Sequence, residues 1–352
     1  NVDTITYDNA DQRTGTTFAQ AGNTLASLNY QRDGDGQITQ ASSSGLNDPT
    51  HSYSYNTLNQ LTADNTNSYS YDNADNPTTL AGASGYSYDA ANQLTDSPTA
   101  SYSYNSLGQR TTTTPTSGTA TNYGYDQAGR LTSVTGPSNA TYTYNGDGLR
   151  ATKTTGGSTN YFGWDPTSSP PLLLSDGTNN YIYGPDNLPI EQIDSSGNAT
   201  YYHHDQLGST RLLTNSNGNT AATFNYDAYG NVTTSTGSAT TPLGYAGQYT
   251  DTETGLQYDQ ARYYDPQTGQ FISRDPLEAQ TRQPYSYAAD NPVSWSDPTG
   301  DISGKKCLAT ALACLALGHS IADQPGSGQK DEAQSPVVTQ PEGRGDPRSG
   351  QG

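Results

Sequence analysis

Four stretches decide how this chain folds: YSYNTLNQLT from Tyr53 to Thr62, YSYDAANQLT from Tyr86 to Thr95, YSYNSLGQRT from Tyr102 to Thr111, and YGYDQAGRLT from Tyr123 to Thr132. They share one pattern: Tyr-x-Tyr, then Asp or Asn, two free residues, Gly or Asn, a Gln or Arg, and a return to Leu-Thr, which in the third is Arg110-Thr111. Looser copies run from Tyr69 and from Tyr142, and TYDNADQRT around Tyr7 and NYQRDGDGQIT around Tyr30 extend the series towards the start. The second tyrosine falls at positions 55, 71, 88, 104, 125 and 144, a spacing of 16 to 21 residues. In a strand, Tyr-x-Tyr puts two rings on one face. The Asp/Asn and Gly/Asn that follow are turn residues, and Leu-Thr begins a return strand. Each unit is therefore a β-hairpin, too small to stand alone. Stacked units bury their tyrosines against one another, as repeat proteins do. The tyrosine pairs Tyr53/Tyr55, Tyr86/Tyr88, Tyr102/Tyr104 and Tyr123/Tyr125 are the expected structural repeat, in a twisted, continuous antiparallel sheet that coils into a wall.

Composition agrees with this all-β reading. Only 30% of residues are hydrophobic, yet there are 28 tyrosines, each with a large ring and one polar tip. The turn residues keep a fixed offset from each tyrosine pair, which a low-complexity tract would not do. The net charge of −19, from 15 basic and 34 acidic residues, argues against nucleic acid as a partner. The longest apolar run, Cys307 to Leu317, is too short to span a bilayer. Cys307 and Cys314 are seven apart, two helical turns, so they would not pair within one helix. Without a methionine or a signal peptide, the chain reads as a piece of something longer.

Two clusters invite a metal reading. Asp33-Gly34-Asp35-Gly36 resembles a calcium loop, but the first and twelfth positions would be Gln31 and Ser42, so it reads as a turn of the repeat. His203-His204-Asp205 reads as structural, since His51 and His319 lie far away in sequence. No metal and no cofactor is expected, because no nucleotide loop, zinc spacing or nucleophile elbow is present.

From Tyr201 the pattern changes. His204-Asp205-x-Leu207-Gly208-Ser209-Thr210-Arg211, Tyr226-Asp227-Ala228-Tyr229-Gly230, Glu253-Thr254-Gly255-Leu256, Ala261-Arg262-Tyr263-Tyr264-Asp265-Pro266, Ser273-Arg274-Asp275-Pro276 and Asp297-Pro298-Thr299-Gly300 follow in order. This segment resembles the RHS repeat-associated core domain, and the units before it are similar to the tyrosine-aspartate (YD) repeats of the same family. Three regions are expected: YD repeats over 1–200, an RHS core over 201–300, and a variable segment over 301–352. The last would hold a short apolar helix at about 305–321 and then a disordered tail.

The resemblance implies a hollow β-sheet shell closed at one end by the core, in a bacterial protein that is secreted or at the cell surface. In polymorphic toxins of this kind the segment after Asp-Pro-x-Gly is the payload, and in several an aspartate-dependent self-cleavage frees it. Related shells in wall-associated proteins and teneurins mediate contact instead. The self-cleavage reading points to Asp275 with Arg274, to Asp290 and Asp297 as second carboxylates, and to a break at Gly300, Asp301 and Ile302. Two carboxylates sharing a proton would serve as base for water and acid for the leaving amine. The family usually has a hydrophobic residue after Asp-Pro-x-Gly, whereas this chain has Asp301 and then Ile302. Only 52 residues follow Gly300, too few for an ordinary enzyme domain. The expected partner is the chain's own C-terminal segment or a toxin payload. An alternative is an adhesion or filament protein that binds glycans or neighbouring copies, without catalysis.

Overall fold

A computed structural model of the chain describes residues 1–301. The segment expected to hold a helix at 305–321 and a tail, and Ile302 of the expected cleavage site, lie outside the described residues.

The repeat chemistry builds the hairpins. After the second tyrosine, the Asp or Asn side chain folds back on its own turn. Asp72 Oδ1 accepts the backbone N–H groups of Ala74 at 2.8 Å and Asn76 at 2.9 Å. Asn56, Asp89, Asn105, Asp126 and Asn145 accept the corresponding pairs in their units. The residue three positions on is left-handed, with φ +64° at Asn59 and at Asp75, and +75° at Gly108, which is why Gly, Asn or Asp stands there. The calcium-like stretch is such a turn: Asp33 Oδ1 accepts from Asp35 and Gln37, and Gly36 has φ +79°. Each turn also slips the register by one residue just before the second tyrosine, as at Ser54/Tyr55, Ser103/Tyr104 and Thr143/Tyr144.

The fold is all-β, and the hairpins join strictly neighbour to neighbour in antiparallel meanders. Seven strands from Val2–Tyr7 to Asn67–Ser68 form the first sheet, and three from Ser70–Tyr71 to Ala83–Ser84 the second. Nine from Ser87–Tyr88 to Ser158–Tyr161 form the third, and eight from Gly163–Asp165 to Val232–Gly237 the fourth. The first two breaks in the wall fall where strands shrink to two residues, at Asn67–Ser68 and Ser70–Tyr71 and then at Ala83–Ser84 and Ser87–Tyr88. A strand that short leaves too few ladder bonds to carry the sheet across. The fourth sheet runs without a break across residue 200, since Pro189–Asp194 pairs with Ala199–His204. The change of motif at Tyr201 is thus a change of sequence within one meander.

The tyrosines do more than bury rings. The second tyrosine of a unit is half-buried and donates its hydroxyl to a backbone carbonyl at the start of the previous unit's return strand. Tyr55 reaches Ile38 O at 2.7 Å, Tyr71 reaches Leu61 O at 2.9 Å, Tyr88 reaches Pro77 O at 2.7 Å, and Tyr125 reaches Arg110 O at 2.8 Å. Tyr144 and Tyr183 continue the series to Leu131 O and Leu173 O, and Trp164 takes the same place with its indole N–H on Arg150 O. The first tyrosines Tyr53, Tyr86, Tyr102 and Tyr123 are half-buried, as is Tyr104. The leucine of the return strand is the core residue: Leu61, Leu94 and Leu131 are buried. In three units that slot holds an arginine: Arg13, half-buried, and Arg110 and Arg150, each with no exposed surface.

Arg110 and Arg150 find carboxylates on the segment that follows the fourth sheet. Arg150 makes two bonds to Asp251 at 2.7 and 2.8 Å, and Arg110 pairs with Asp265 at 2.6 Å. Residues 245–300 also bond to the first sheet (Asn291 to Gln37, Gln60 to Asp290), to the Gly108 carbonyl through Tyr285, and to Tyr229 O through Tyr264. The first sheet meets the fourth directly: His203 pairs with Asp3 at 2.7 Å, Arg211 with Asp48 at 2.6 Å, and Arg13 donates to the His204 and Asp205 carbonyls. Residues 245–300 therefore form a plug that touches the wall at many heights.

Candidate active site

The plug begins with a small four-stranded sheet, Tyr249–Thr250, Gln257–Asp259, Arg262–Asp265 and Gln270–Phe271. Its second hairpin is tight: Asp259 faces Arg262 across a turn in which Gln260 has φ +58°. The tip of that hairpin clasps the Asp-Pro-Thr-Gly segment, with Ala261 N–H donating to Thr299 O at 3.0 Å. Arg262 projects from the hairpin into a buried cluster and lies over the Phe271 ring at 3.6 Å.

Three carboxyl groups and one backbone carbonyl converge on this arginine. Its Nη2 donates to Asp297 Oδ2 at 3.2 Å and lies 3.9 Å from Asp275 Oδ2, while its Nε donates to the Gly300 carbonyl. Asp297 Oδ1 accepts the Gly300 N–H at 2.9 Å, so Gly300 is held at both ends of its own residue. Asp275 is fixed by Leu277 N–H at 2.6 Å and by the Thr281 hydroxyl at 2.8 Å. Gly300 has φ +69°, and a Cβ there would meet Asp259 O at 2.5 Å and Arg262 N at 2.9 Å. Only glycine fits that approach.

The third carboxyl is Asp259, fully buried, with Oδ1 accepting from Gln257 Nε2 at 3.2 Å. Burial and then the charge of Asp297 push it well above the usual carboxylate range. Burial also pushes the Arg262 guanidinium down, opposed by Asp297, Asp275, Asp259 and Asp301, and an arginine remains a cation in that setting. A cavity of about 890 Å³ borders the cluster, with Trp295, Ser296, Pro298, Thr299 and the hairpin tip Gln260 on its wall. The chain leading to Gly300 thus runs beside open space that water can occupy.

Of the residues singled out in the sequence, Asp275 and Asp297 meet here, next to Gly300 and Asp301. Arg274 does not: its side chain is 56% exposed and pairs with Glu278. Asp290 is buried in another network, accepting from Gln60 at 3.0 Å and from Ser286 at 2.8 Å. Arg262 and Asp259 were not singled out. Their signal was the Tyr-Asp-x-x-Arg hairpin, which looks like any other repeat turn until the fold sets it against residue 300. His203 and His204 are parts of the wall: His203 joins Asp3 to Thr214, and His204 Nε2 donates to Pro189 O. Among the described residues, no three His, Cys, Asp or Glu side chains gather as metal ligands. No helix among them is long and apolar enough to cross a membrane.

Comparison with known proteins places this architecture. The profile described as "Teneurin YD-shell" matches residues 3–132 and 175–293. The chain belongs to the teneurin YD-shell family. The YD-shell chain is 36% identical over 195 residues to the tRNA3(Ser)-specific nuclease WapA of Bacillus spizizenii, covering 51% of this chain and 8% of that protein. It is 30% identical over 203 residues to the double-stranded DNA deaminase toxin A of Burkholderia cenocepacia, covering 51% and 14%. Its fold matches the Tc holotoxin pore of Photorhabdus luminescens with a TM-score of 0.63 at 18% identity, over 86% of this chain and 18% of that one. The chain thus corresponds to a small part of each relative's length.

Proposed function

We propose that this chain is the closing end of a secreted bacterial toxin-delivery shell that cuts itself once, within Gly300–Ile302, and so frees the segment that follows. The observation that carries the reading is the convergence of Asp275 and Asp297 on Arg262, whose Nε also holds the Gly300 carbonyl. Two carboxylates on one cation can divide the work of peptide hydrolysis. One takes a proton from the attacking water, and a protonated partner supplies the leaving amine. Arg262 fixes the strand that leads into the scissile bond and opposes charge developing beside it. The toxin names of the relatives support a payload beyond residue 300 as the partner, and the acid cluster, unlike the Asp251 and Glu253 pair on Lys153, touches Gly300.

Intact mass of the freshly made chain, beside Asp275→Asn and Asp297→Asn, tests it. The wild type should arrive as two pieces divided at residues 300–302 and both variants as one. An unbroken wild type, or a broken Asp275→Asn, would overturn the reading.

One observation favours the second reading, a surface protein that associates with neighbouring copies. All six residues of Val232–Gly237 are exposed, and this last strand of the fourth sheet pairs on one side only. Such an edge can take another strand. Sedimentation at increasing concentration separates the two: a monomer throughout removes the association reading.

A further inference from the structure

The acid cluster contains two buried groups that the proposed chemistry leaves unused. Asp259 Oδ2 and Arg262 Nη1 are both without solvent contact, and neither has a hydrogen-bond partner among the described residues. A buried polar atom left unpaired is costly, and two of them on neighbouring side chains call for a reason. They sit on facing residues of one tight hairpin, Asp259 opposite Arg262, and both border Gly300 through their backbones.

The geometry points to Asp259 as the positioning residue of the self-cleavage centre: as a neutral acid it leaves Arg262 to Asp297 and the Gly300 carbonyl, and as a carboxylate it competes for Arg262 and turns cleavage off. This inference rests on the self-cleavage reading above and adds a regulation to it. The two states differ in which anion the guanidinium serves. With Asp259 protonated, Arg262 commits Nη2 to Asp297 and Nε to the Gly300 carbonyl. Once Asp259 loses its proton, a second full negative charge faces the same cation with a free Nη1 available to it. Arg262 is then shared, and the strand leading into the scissile bond loses its anchor.

The surroundings favour the neutral form. The charged groups that face Asp259 are Asp297 and Arg262, and Arg262 also answers to Asp275 and Asp301. The phenols of Tyr245 and Tyr287 pack on the same cluster and are themselves held neutral by burial. Gln257, through its N–H on Asp259 Oδ1, and the Arg262 charge assist the carboxylate. Asp259 does not touch the reacting bond in this scheme and donates no proton to it. Its role is to leave the arginine free at ordinary pH and to claim it in alkali.

The test is the pH profile of cleavage in the full chain. The chain is made and held unfolded in denaturant, then diluted into buffers across a pH series, and the cut fraction is followed by intact mass. The wild type should show a rate that falls on the alkaline side, and Asp259→Asn, which keeps the shape but cannot ionise, should lose that alkaline limb. Gln257→Met removes the donor that assists the carboxylate and should move the limb upward by about one pH unit. Asp275→Asn serves as the uncut reference. If Asp259→Asn gives a profile that superimposes on the wild type while Asp275→Asn stays whole, the positioning role is wrong and the self-cleavage reading stands. If folded Asp259→Asn is uncut at every pH, Asp259 takes part in the chemistry itself and the proposal fails in that direction. Should Asp259→Asn not fold, an unmoved limb in Gln257→Met overturns the proposal instead. A wild type that never cuts removes both readings together.

Discussion

Replacing Arg150 by leucine tests how the plug is locked to the wall. Leucine is the residue that fills the same slot in other units, at Leu61, Leu94 and Leu131, so the hairpin itself should accept it. The cost lies across the interface. Arg150→Leu removes both bonds to Asp251, a third to the Tyr263 hydroxyl at 2.9 Å, and a cation stacked 4.2 Å from the centre of the Tyr258 ring. Asp251 is fully buried, and breaking a buried pair from one side costs about 3–5 kcal/mol because the other charge is stranded. Lys153, whose Nζ is 3.0 Å from Asp251 Oδ1, softens this, so the expected loss is near the lower figure, about 3 kcal/mol. In urea, with a slope of about 3 kcal/mol per M for a chain of this size, the midpoint should fall by about 1 M. Trp164 reports the event, since its indole N–H donates to the Arg150 carbonyl. Adding Asp251→Leu removes the stranded charge and leaves Lys153 with Glu253, 3.2 Å away, so the double variant should return to within about 1 kcal/mol of the wild type. A single variant that loses less than about 1 kcal/mol, or a double variant less stable than the single, would refute the reasoning.

Two histidines should give stability opposite pH dependences. Hydrogen bonds that His51 donates to Asp48 and Asp64 push it up to about 9, so its stabilisation is complete below the ordinary imidazole value of about 6.5 and is lost as pH rises to about 9. His51→Gln should flatten the urea midpoint across that window. Burial pushes His204 down, so its contribution is present above about 6.5 and is lost as pH falls below it; His204→Gln should reduce the acid-side loss in the same titration. In the turns, Asp72→Ala removes the acceptor of two backbone N–H groups and should cost about 1 kcal/mol in urea unfolding, whereas Asp72→Asn should be nearly neutral because Asn56 and Asn105 already do this work. Gly300→Ala places a methyl against Asp259 O and Arg262 N, and limited proteolysis should find its Asp-Pro-Thr-Gly segment more readily cut than in the wild type.

The wall was legible in the sequence because its information is local. Tyr-x-Tyr, the Asp or Asn and the left-handed position lie within seven residues, and each acts on atoms within the same hairpin or the one before. The phenol-to-carbonyl bonds between units were not legible, because a tyrosine in a strand shows only that it will be half-buried. The candidate site was legible in part. Asp275 and Asp297 are marked by the family's motifs, but their meeting point is Arg262, 35 residues from Asp297 in sequence and placed there by a hairpin tip. Arg274 drew attention by standing next to Asp275, yet one side chain faces out and the other is buried, so adjacency in sequence carried no information about which cation serves the carboxylate. Arg110 and Arg150 were invisible for the reverse reason: in the repeat they sit where an apolar residue belongs, and only the plug supplies the carboxylates that make them tolerable.

The phenol-to-carbonyl bonds between units all point the same way along the chain. Each joins a second tyrosine to a strand made earlier, and the further bonds of Tyr71 and Tyr144 to later residues add to these. A ribosome or a secretion channel that delivers this polypeptide from its amino end therefore presents every hairpin with a finished surface on which to settle. The shell can be laid like courses of brick, each bonded to the one beneath, and the plug that ties the courses together arrives after them.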